Sequence, residues 1–491
     1  MSRNSWCAVL GAVVLVALLL GAGAKTARAA GFVVNSDRDD IESSDANLLD
    51  GICLDGLGDC TLRAAIEQAN ANGQADTITF SIAMNIYVSG TMGAFPPITD
   101  SVIVNASSVW DSVNNRPGVM LNGGGGNFNG LQIDGQWCEV YGLHITNFGS
   151  SAIYIHSANN TIGGNLLGRR NVLSGNGVYG VIIASSTAAN NLVQANFIGI
   201  DPTGSAKQPN SQGGVYIGAG AEVNTIGGGA LGTSNYISGN GGYGIFVVDS
   251  TTLGNKIGGN FIGIPATGSL EVGNSSHGIY IWGAGQTEIG GGALSGNLIA
   301  RNGGNGVFIS AGWQSTVQNN YLLLNGANGV RISDGPDNSI LLNLIAQNVE
   351  NGVLVSGPTA LRNEISSNSI LKNGQKGVEL QSGGNTELAA PAITAACATQ
   401  VSGTATGGAR VVQVYSDSQE EGETYHGMCI VSLPSGAWTY TGAITGPNVT
   451  ALSLDVDGNT SEFSAPFCID CDLLMLLPTI LQAAKSKKRA N

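Results

Sequence analysis

The stretch NYISGNGGYGIFVVDS at residues 235–250 has two close copies, NVLSGNGVYGVIIASS at 171–186 and NLIARNGGNGVFISAG at 297–312. Such repetition constrains a fold severely, because each unit must form the same local structure and pack on its copies. Two periods are superposed. TIGG at 161–164 and 225–228 and EIGG at 288–291 start 64 and 63 residues apart, and NFIGI recurs at 196 and 260. A shorter period places Gly, once Ala, before an apolar-x-apolar strand. Its anchors are Gly130, Ala152, Gly180, Gly214, Gly244, Gly278, Gly306, Gly329, Gly352 and Gly377, spaced by 22 to 34 residues.

A unit this small cannot bury its own apolar face, whereas stacked units share one core. The strand periodicity is two rather than 3.6, which argues against helical solenoids. The regular leucine framework of leucine-rich repeats is absent. From roughly Ile78 to Asn385 the units resemble the coils of right-handed parallel β-helices. The alternation points Val215/Ile217, Ile245/Val247, Ile279/Ile281, Val307/Ile309 and Val330/Ile332 inward. Ten coils at the parallel-strand spacing predict a rod of roughly 45 Å. The phrase N-x-apolar-x-x-N recurs at Asn171/Asn176, Asn235/Asn240, Asn297/Asn302, Asn320/Asn325, Asn343/Asn348 and Asn368/Asn373. Asn tolerates left-handed turns and its amide bonds along a stack, so these residues read as turn ladders rather than ligands.

A β-helix has an open apolar end that needs a cover. CTLRAAIEQANAN at 60–72 suits that role. Leu62, Ala65, Ile66 and Ala69 share one helical face, and Thr61 is placed to cap it. This stretch resembles the CSLREA domain of exported, often β-helical proteins, through Cys60, Leu62, Arg63 and Ala65, with Thr61 in place of Ser. Ala64 stands where the family has Glu, so half of the capping box is missing. The resemblance implies export and a β-helical context, and no reaction. After Pro391, VSGTATGGARVVQVYSD, GAWTYTG and VTALSLDVDGNTSEFS read as alternating strands. They resemble the small immunoglobulin-like β-sandwiches appended to bacterial surface proteins.

The expected fold class is therefore all-β: a right-handed parallel β-helix with an N-terminal helical cap and a small C-terminal β-sandwich. The expected boundaries are a signal peptide at 1–29, the cap at 30–77, the β-helix at 78–390, the sandwich at 391–467 and a tail at 468–491. Arg3, the apolar run 7–24 and Ala27-Arg28-Ala29 form the export signal. Leu473 to Leu481 is too short to span a membrane, so the mature chain is expected to lack a transmembrane helix and to be secreted or held at the cell surface. The 74 Gly accompany 43% apolar residues, which excludes a disordered Gly-rich chain. A net charge of −14 argues against a nucleic-acid surface. Export permits disulfides, and the candidate pairs by proximity are Cys53/Cys60, Cys397/Cys429 and Cys468/Cys471. Cys138 is left over and reads as a buried core thiol.

The chemistry-bearing residues are sparse. Hydrolysis of a glycoside needs two positioned carboxylates, and no clustered acid pair is evident. Asp201 follows NFIGI, but Pro265 takes its place in the next repeat. His144, His156 and His277 lack metal-ligand spacing. Asp334 and Asp337 lie in SDGPDNS, a turn that could hold Ca²⁺ but is more commonly a solvated Asx turn. No other cofactor is expected. Arg169, Arg170 and Arg331 are candidate polysaccharide contacts. The sharper signal is an outward stripe at the middle of successive strands: Gln132, Tyr154, Ile182, Tyr216, Phe246, Tyr280, Phe308, Arg331, Leu354 and Glu379, with His156 and Trp282 two positions on. Five of the ten are aromatic, although aromatics make up 6% of the chain. Tyr154, Tyr216, Phe246, Tyr280, Trp282, Phe308 and Arg331 are the glycan-contact candidates, set against the plainer reading that outward strand positions favour aromatics. The sequence favours a non-catalytic adhesion, structural or glycan-contact surface. A polysaccharide lyase or glycoside hydrolase of the pectate-lyase-like type is the alternative.

Overall fold

The computed structural model describes residues 29–469 apart from 89, 268–271, 293, 407 and 418–420. The expected export signal, save Ala29, and the apolar tail lie outside the described residues. Three long parallel sheets run side by side, of twelve, eleven and ten strands. The first begins at Gly31–Val34 and ends at Glu364–Ser366, the second runs from Met84–Tyr87 to Ser369–Leu371, and the third from Leu131–Ile133 to Val378–Gln381. From Val102–Asn105 to Val378–Gln381 each coil contributes one strand to each sheet, which is a right-handed parallel β-helix. The twelve-stranded sheet makes the rod about 50 Å long, longer than ten coils would give. Strand Gly31–Val34 pairs with Asp76–Phe80 and so starts the first sheet inside the segment expected to be only a cap.

The core follows the alternation. Val215/Ile217, Ile245/Val247, Ile279/Ile281, Val307/Ile309 and Val330/Ile332 stack in register and are fully buried. Strands of the other two sheets are shorter and give one central aliphatic each, such as Ile226, Ile257 and Ile289 in the first and Ile237, Ile262 and Ile299 in the second. One coil therefore offers only a few inward side chains, and the core exists only through stacking.

The asparagines form the ladders. Those that open each N-x-apolar-x-x-N phrase line the corner between the first and second sheets; those that close it line the corner between the second and third. The backbone N–H and Nδ2 of Asn297 both donate to Asn320 Oδ1, at 3.0 and 2.9 Å, and Nδ2 also donates to the Ile257 carbonyl at 2.8 Å. Asn302, Asn325 and Asn348 repeat the pattern at the next corner. A third ladder at the remaining corner, through Asn160, Asn191, Asn224 and Asn255, lies outside the repeated phrase. Apart from Asn363, whose Nδ2 has no partner, the buried ladder amides are satisfied by neighbouring groups, which removes the cost of burying them.

Helix α1 (Leu62–Asn72) closes the N-terminal end. Leu62, Ala65, Ile66 and Ala69 are fully buried, and the Thr61 side chain accepts from the Ala64 N–H at 3.1 Å. Ala64 is itself buried, so this site has no room for a reaching Glu. Cys53 and Cys60 form a disulfide beside the helix. Beyond the rod lie two antiparallel sheets, one of three strands (Ala392–Cys397, Gln400–Thr404, Ala437–Thr441) and one of four (Ala409–Asp417, Thr424–Ile430, Asn448–Asp455, Phe467–Cys468).

The expected Cys397–Cys429 staple does not form. Cys397 ends a strand of the three-stranded sheet, whereas Cys429 faces Val412 in the four-stranded one, and both are thiols. Closeness in sequence did not place them on the same sheet. Cys468 is disulfide-bonded, and Cys471 lies outside the described residues. Cys138 is the buried core thiol expected: burial pushes it up to about 11, and its Sγ donates to the Asp100 carbonyl at 3.1 Å.

Candidate functional site

The outward stripe of the third sheet is continuous. Gln132, Tyr154, Ile182, Tyr216, Phe246, Tyr280, Phe308, Arg331, Leu354 and Glu379 are successive partners in parallel register. Phe246 and Tyr280 lie 5.0 Å apart at 8°, and Tyr280 and Phe308 5.0 Å apart at 11°. Parallel rings this close overlap face to face, since coplanar neighbours would need a wider separation. Tyr216 meets Phe246 edge-on at 5.8 Å, and the Arg331 guanidinium covers the other end, 5.1 Å from the Phe308 centroid. The ring faces are thus used within the column, which turns ring edges and tyrosine hydroxyls outward. Trp282 stands apart and is 54% exposed.

A flanking column escaped the sequence reading. Tyr179, Tyr243 and His277 each precede an anchor glycine and lean on the stripe: Tyr179 on Tyr216 at 5.4 Å, Tyr243 on Phe246 at 5.1 Å and His277 on Phe308 at 5.1 Å. Gly213 makes room for this, because a Cβ there would meet the Tyr179 ring at 2.7 Å. The aromatic-Gly pairs YG and HG were the available signal. Burial, with Arg331 nearby, lowers His277 to about 4, and its Nδ1 accepts from the Asn305 N–H at 2.9 Å. Burial raises Tyr154, Tyr216 and Tyr280, so their hydroxyls stay protonated at neutral pH.

At the N-terminal end of the stripe, His156 Nδ1 lies 2.8 Å from Asp134 Oδ1, and the His156 ring lies 4.0 Å from that of Tyr154. Gln132 Nε2 donates to Asp134 at 3.1 Å. This places a carboxylate-oriented imidazole beside a phenol, groups able to move a proton.

Other expected residues lie elsewhere. Both Asp337 oxygens are engaged by Arg362, whose hydrogen bonds and charge lower the carboxyl below its usual range. Asp334 accepts from the Thr359 hydroxyl at 3.3 Å. Asp201 closes its own turn, accepting from the Ser205 and Ala206 N–H groups at 2.9 Å. Among the described residues no three His, Cys, Asp or Glu side chains are grouped to hold a metal ion. Arg169 and Arg170 sit on the opposite side of a corner, stacked on Tyr141 and Phe197 at 4.3 and 4.1 Å.

Arg170 leads to a second feature. The outer stripe of the second sheet, Phe197, Tyr236, Phe261, Leu298 and Tyr321, floors an open groove of about 920 Å³. Each residue follows a ladder asparagine directly, a signal present in the sequence but carried by strands too short to show alternation.

Residues 219–390 match the family of right handed beta helix regions. No curated protein matches the chain. Among solved structures, the mannuronan C-5 epimerase AlgE4 A-module of Azotobacter vinelandii is 14% identical, covering 66% of this chain and 93% of that one, at a TM-score of 0.47. Pectate lyase Pel9A is 13% identical, with 72% and 76% covered and a TM-score of 0.29. The enzymatically active domain of bacteriophage CBA120 tailspike protein 2 is 10% identical, with 82% and 74% covered and a TM-score of 0.35. Likeness at this level assigns no activity.

Proposed function

We propose that this protein is an exported, secreted or surface-held β-helix that serves as a rigid contact surface for polysaccharide without processing it. The observation that carries this reading is the third-sheet stripe, whose aromatic residues from Tyr154 to Phe308 are half-buried. Its rings are locked by stacking, so little entropy is lost when a ligand docks on their edges. Its hydroxyls are protonated donors, and Trp282 supplies an exposed apolar plane. No helix among the described residues is long and apolar enough to cross a membrane. Affinity electrophoresis through acidic and neutral polysaccharides tests the reading. Trp282→Ala, and Tyr216→Ala with Tyr280→Ala, should each weaken retardation while the thermal transition is kept. Retardation unchanged in all variants removes the stripe as the contact surface.

The Asp134–His156–Tyr154 cluster favours a second reading, a polysaccharide lyase. A hydrolase is less well supported, because the side chains around Asp134 are Gln132, His156 and Tyr154 rather than a second carboxylate. Incubation with acidic polysaccharides, with and without Ca²⁺, followed by unsaturated-product absorbance and reducing ends, separates the two. Turnover that is lost in His156→Ala would replace the first reading.

A further inference from the structure

We propose that the groove on the second sheet binds a long-chain carboxylate, its acyl chain along the aromatic floor and its head group at Arg170. The floor is apolar over four coil steps, or about 19 Å. One wall carries two equivalent loops, each with a leucine at the same place after the TIGG or EIGG phrase. Leu231 and Leu294 line the groove and are 99% and 83% exposed; Leu167, 79% exposed at the same place one repeat earlier, lines the adjoining pocket, which shares Arg170. A single exposed leucine is ordinary. A pair of them, two coils apart on one groove, is an unburied apolar wall.

The one charged residue lining the groove is Arg170. Its guanidinium lies over Phe197, and the ion pairs of the described residues do not include it. Burial lowers its affinity for its proton, consistent with a cation lacking a carboxylate neighbour. An anionic head at this end would supply the missing charge, while Phe197, Phe261, Leu298 and Leu323 and the Tyr236 ring offer hydrocarbon along the rest of the groove. Of the polar side chains beyond Arg170, Ser234, Tyr236 and Tyr321 bring hydroxyls, and the Asn260 amide is already committed to its ladder and to two backbone carbonyls.

The test is calorimetric titration of the full mature chain with hexadecanoate and, separately, with hexadecanol, below their aggregation limits. Saturable binding of hexadecanoate near one per chain is expected. Arg170→Gln should weaken it at least tenfold and leave hexadecanol unchanged. Leu231→Ser with Leu294→Ser, both on the surface, should weaken both ligands, which keeps the test decisive should Arg170→Gln fold poorly. No saturable binding overturns the proposal. So does equal binding of the two ligands by wild type and Arg170→Gln. Binding seen only after removal of residues 470–491 would assign the groove to the chain's own apolar tail. Recruitment to phosphatidylglycerol vesicles without hexadecanoate binding would assign it to a membrane surface.

Discussion

The two ends of the rod meet the same problem with different chemistry. At the N-terminal end an apolar helical face plugs the core, the Cys53–Cys60 disulfide clasps the preceding loop, and Arg63 pairs with buried Asp39 at 2.7 Å. At the C-terminal end the closing groups are largely polar and continue the ladders. Glu421 accepts from the Asn373 N–H at 3.0 Å, where another asparagine would stand. Asn459 Oδ1 and Thr460 Oγ1 accept from the Arg362 and Ile365 N–H groups at 2.6 and 2.9 Å. The Gln413 amide oxygen takes the Ser367 N–H, and Tyr415 and Leu452 join the rod core. The difference teaches that an open β-helix end is both an apolar surface and a row of unpaired backbone groups. A helix answers mainly the first, and an antiparallel domain with well-placed loops answers both.

Breaking the N-terminal closure should have the largest effect. Arg63→Ala removes the guanidinium that pairs with buried Asp39, together with the donors to the Gly93 and Ala94 carbonyls. A loss of about 3–5 kcal/mol is expected. Denaturant unfolding, with hydrogen exchange localised to Gly31–Val34 and Asp76–Phe80, would measure it. Retained stability would show that the helix face alone closes this end. Cys53→Ser with Cys60→Ser is expected to cost roughly 2–3 kcal/mol, the entropy of a short closed loop. At the other end, Glu421→Ala leaves the Asn373 backbone N–H unpaired and should cost about 2 kcal/mol. Its signature is faster exchange in Ser369–Leu371 and Val378–Gln381, with the N-terminal coils unaffected. Faster exchange along the whole rod would mean that the ladders transmit damage from coil to coil.

The same contrast explains what could be read from sequence. The N-terminal cap was legible because its apolar positions recur within one helix, and the third-sheet stripe because its strands are long enough to alternate. Glu421, Asn459 and Thr460 act through where the fold carries them, one coil beyond the last repeat, and no local pattern marks that place. The expected sandwich is joined to the rod core through Tyr415 and Leu452, long-range contacts invisible to periodicity. The groove was missed because Phe197, Tyr236 and Phe261 stand on two-residue strands and its leucine walls are loops. The Asp134–His156 pair joins successive coils, so neither residue announces the other.

Acid should act in opposite directions on one buried group near each end, a smaller effect that sharpens the comparison. His144 sits on the third strand of the second sheet. Burial, and then Arg116, lowers it to about 4, and its Nε2 has no hydrogen-bond partner. Its folded value lies below its unfolded value, near 6.5. The unfolded chain therefore takes the proton first, and the stability present above pH 6.5 is lost as pH falls toward 4. The expected loss by pH 5 is on the order of 1–2 kcal/mol. Burial raises Glu421 above its ordinary value, so there the folded state takes the proton first. Stability at that end rises as pH falls through this raised value toward the ordinary carboxylate range. Between pH 6.5 and 4.5, protection factors, with the intrinsic pH dependence of exchange divided out, should thus fall in the N-terminal coils before the C-terminal ones. His144→Met should remove most of that loss of protection and, by replacing an unpaired buried nitrogen, leave the protein at least as stable at pH 7. An acid response shared equally by both ends, and unchanged in His144→Met, would show that the pH dependence arises from the chain's overall charge rather than from how each end is built.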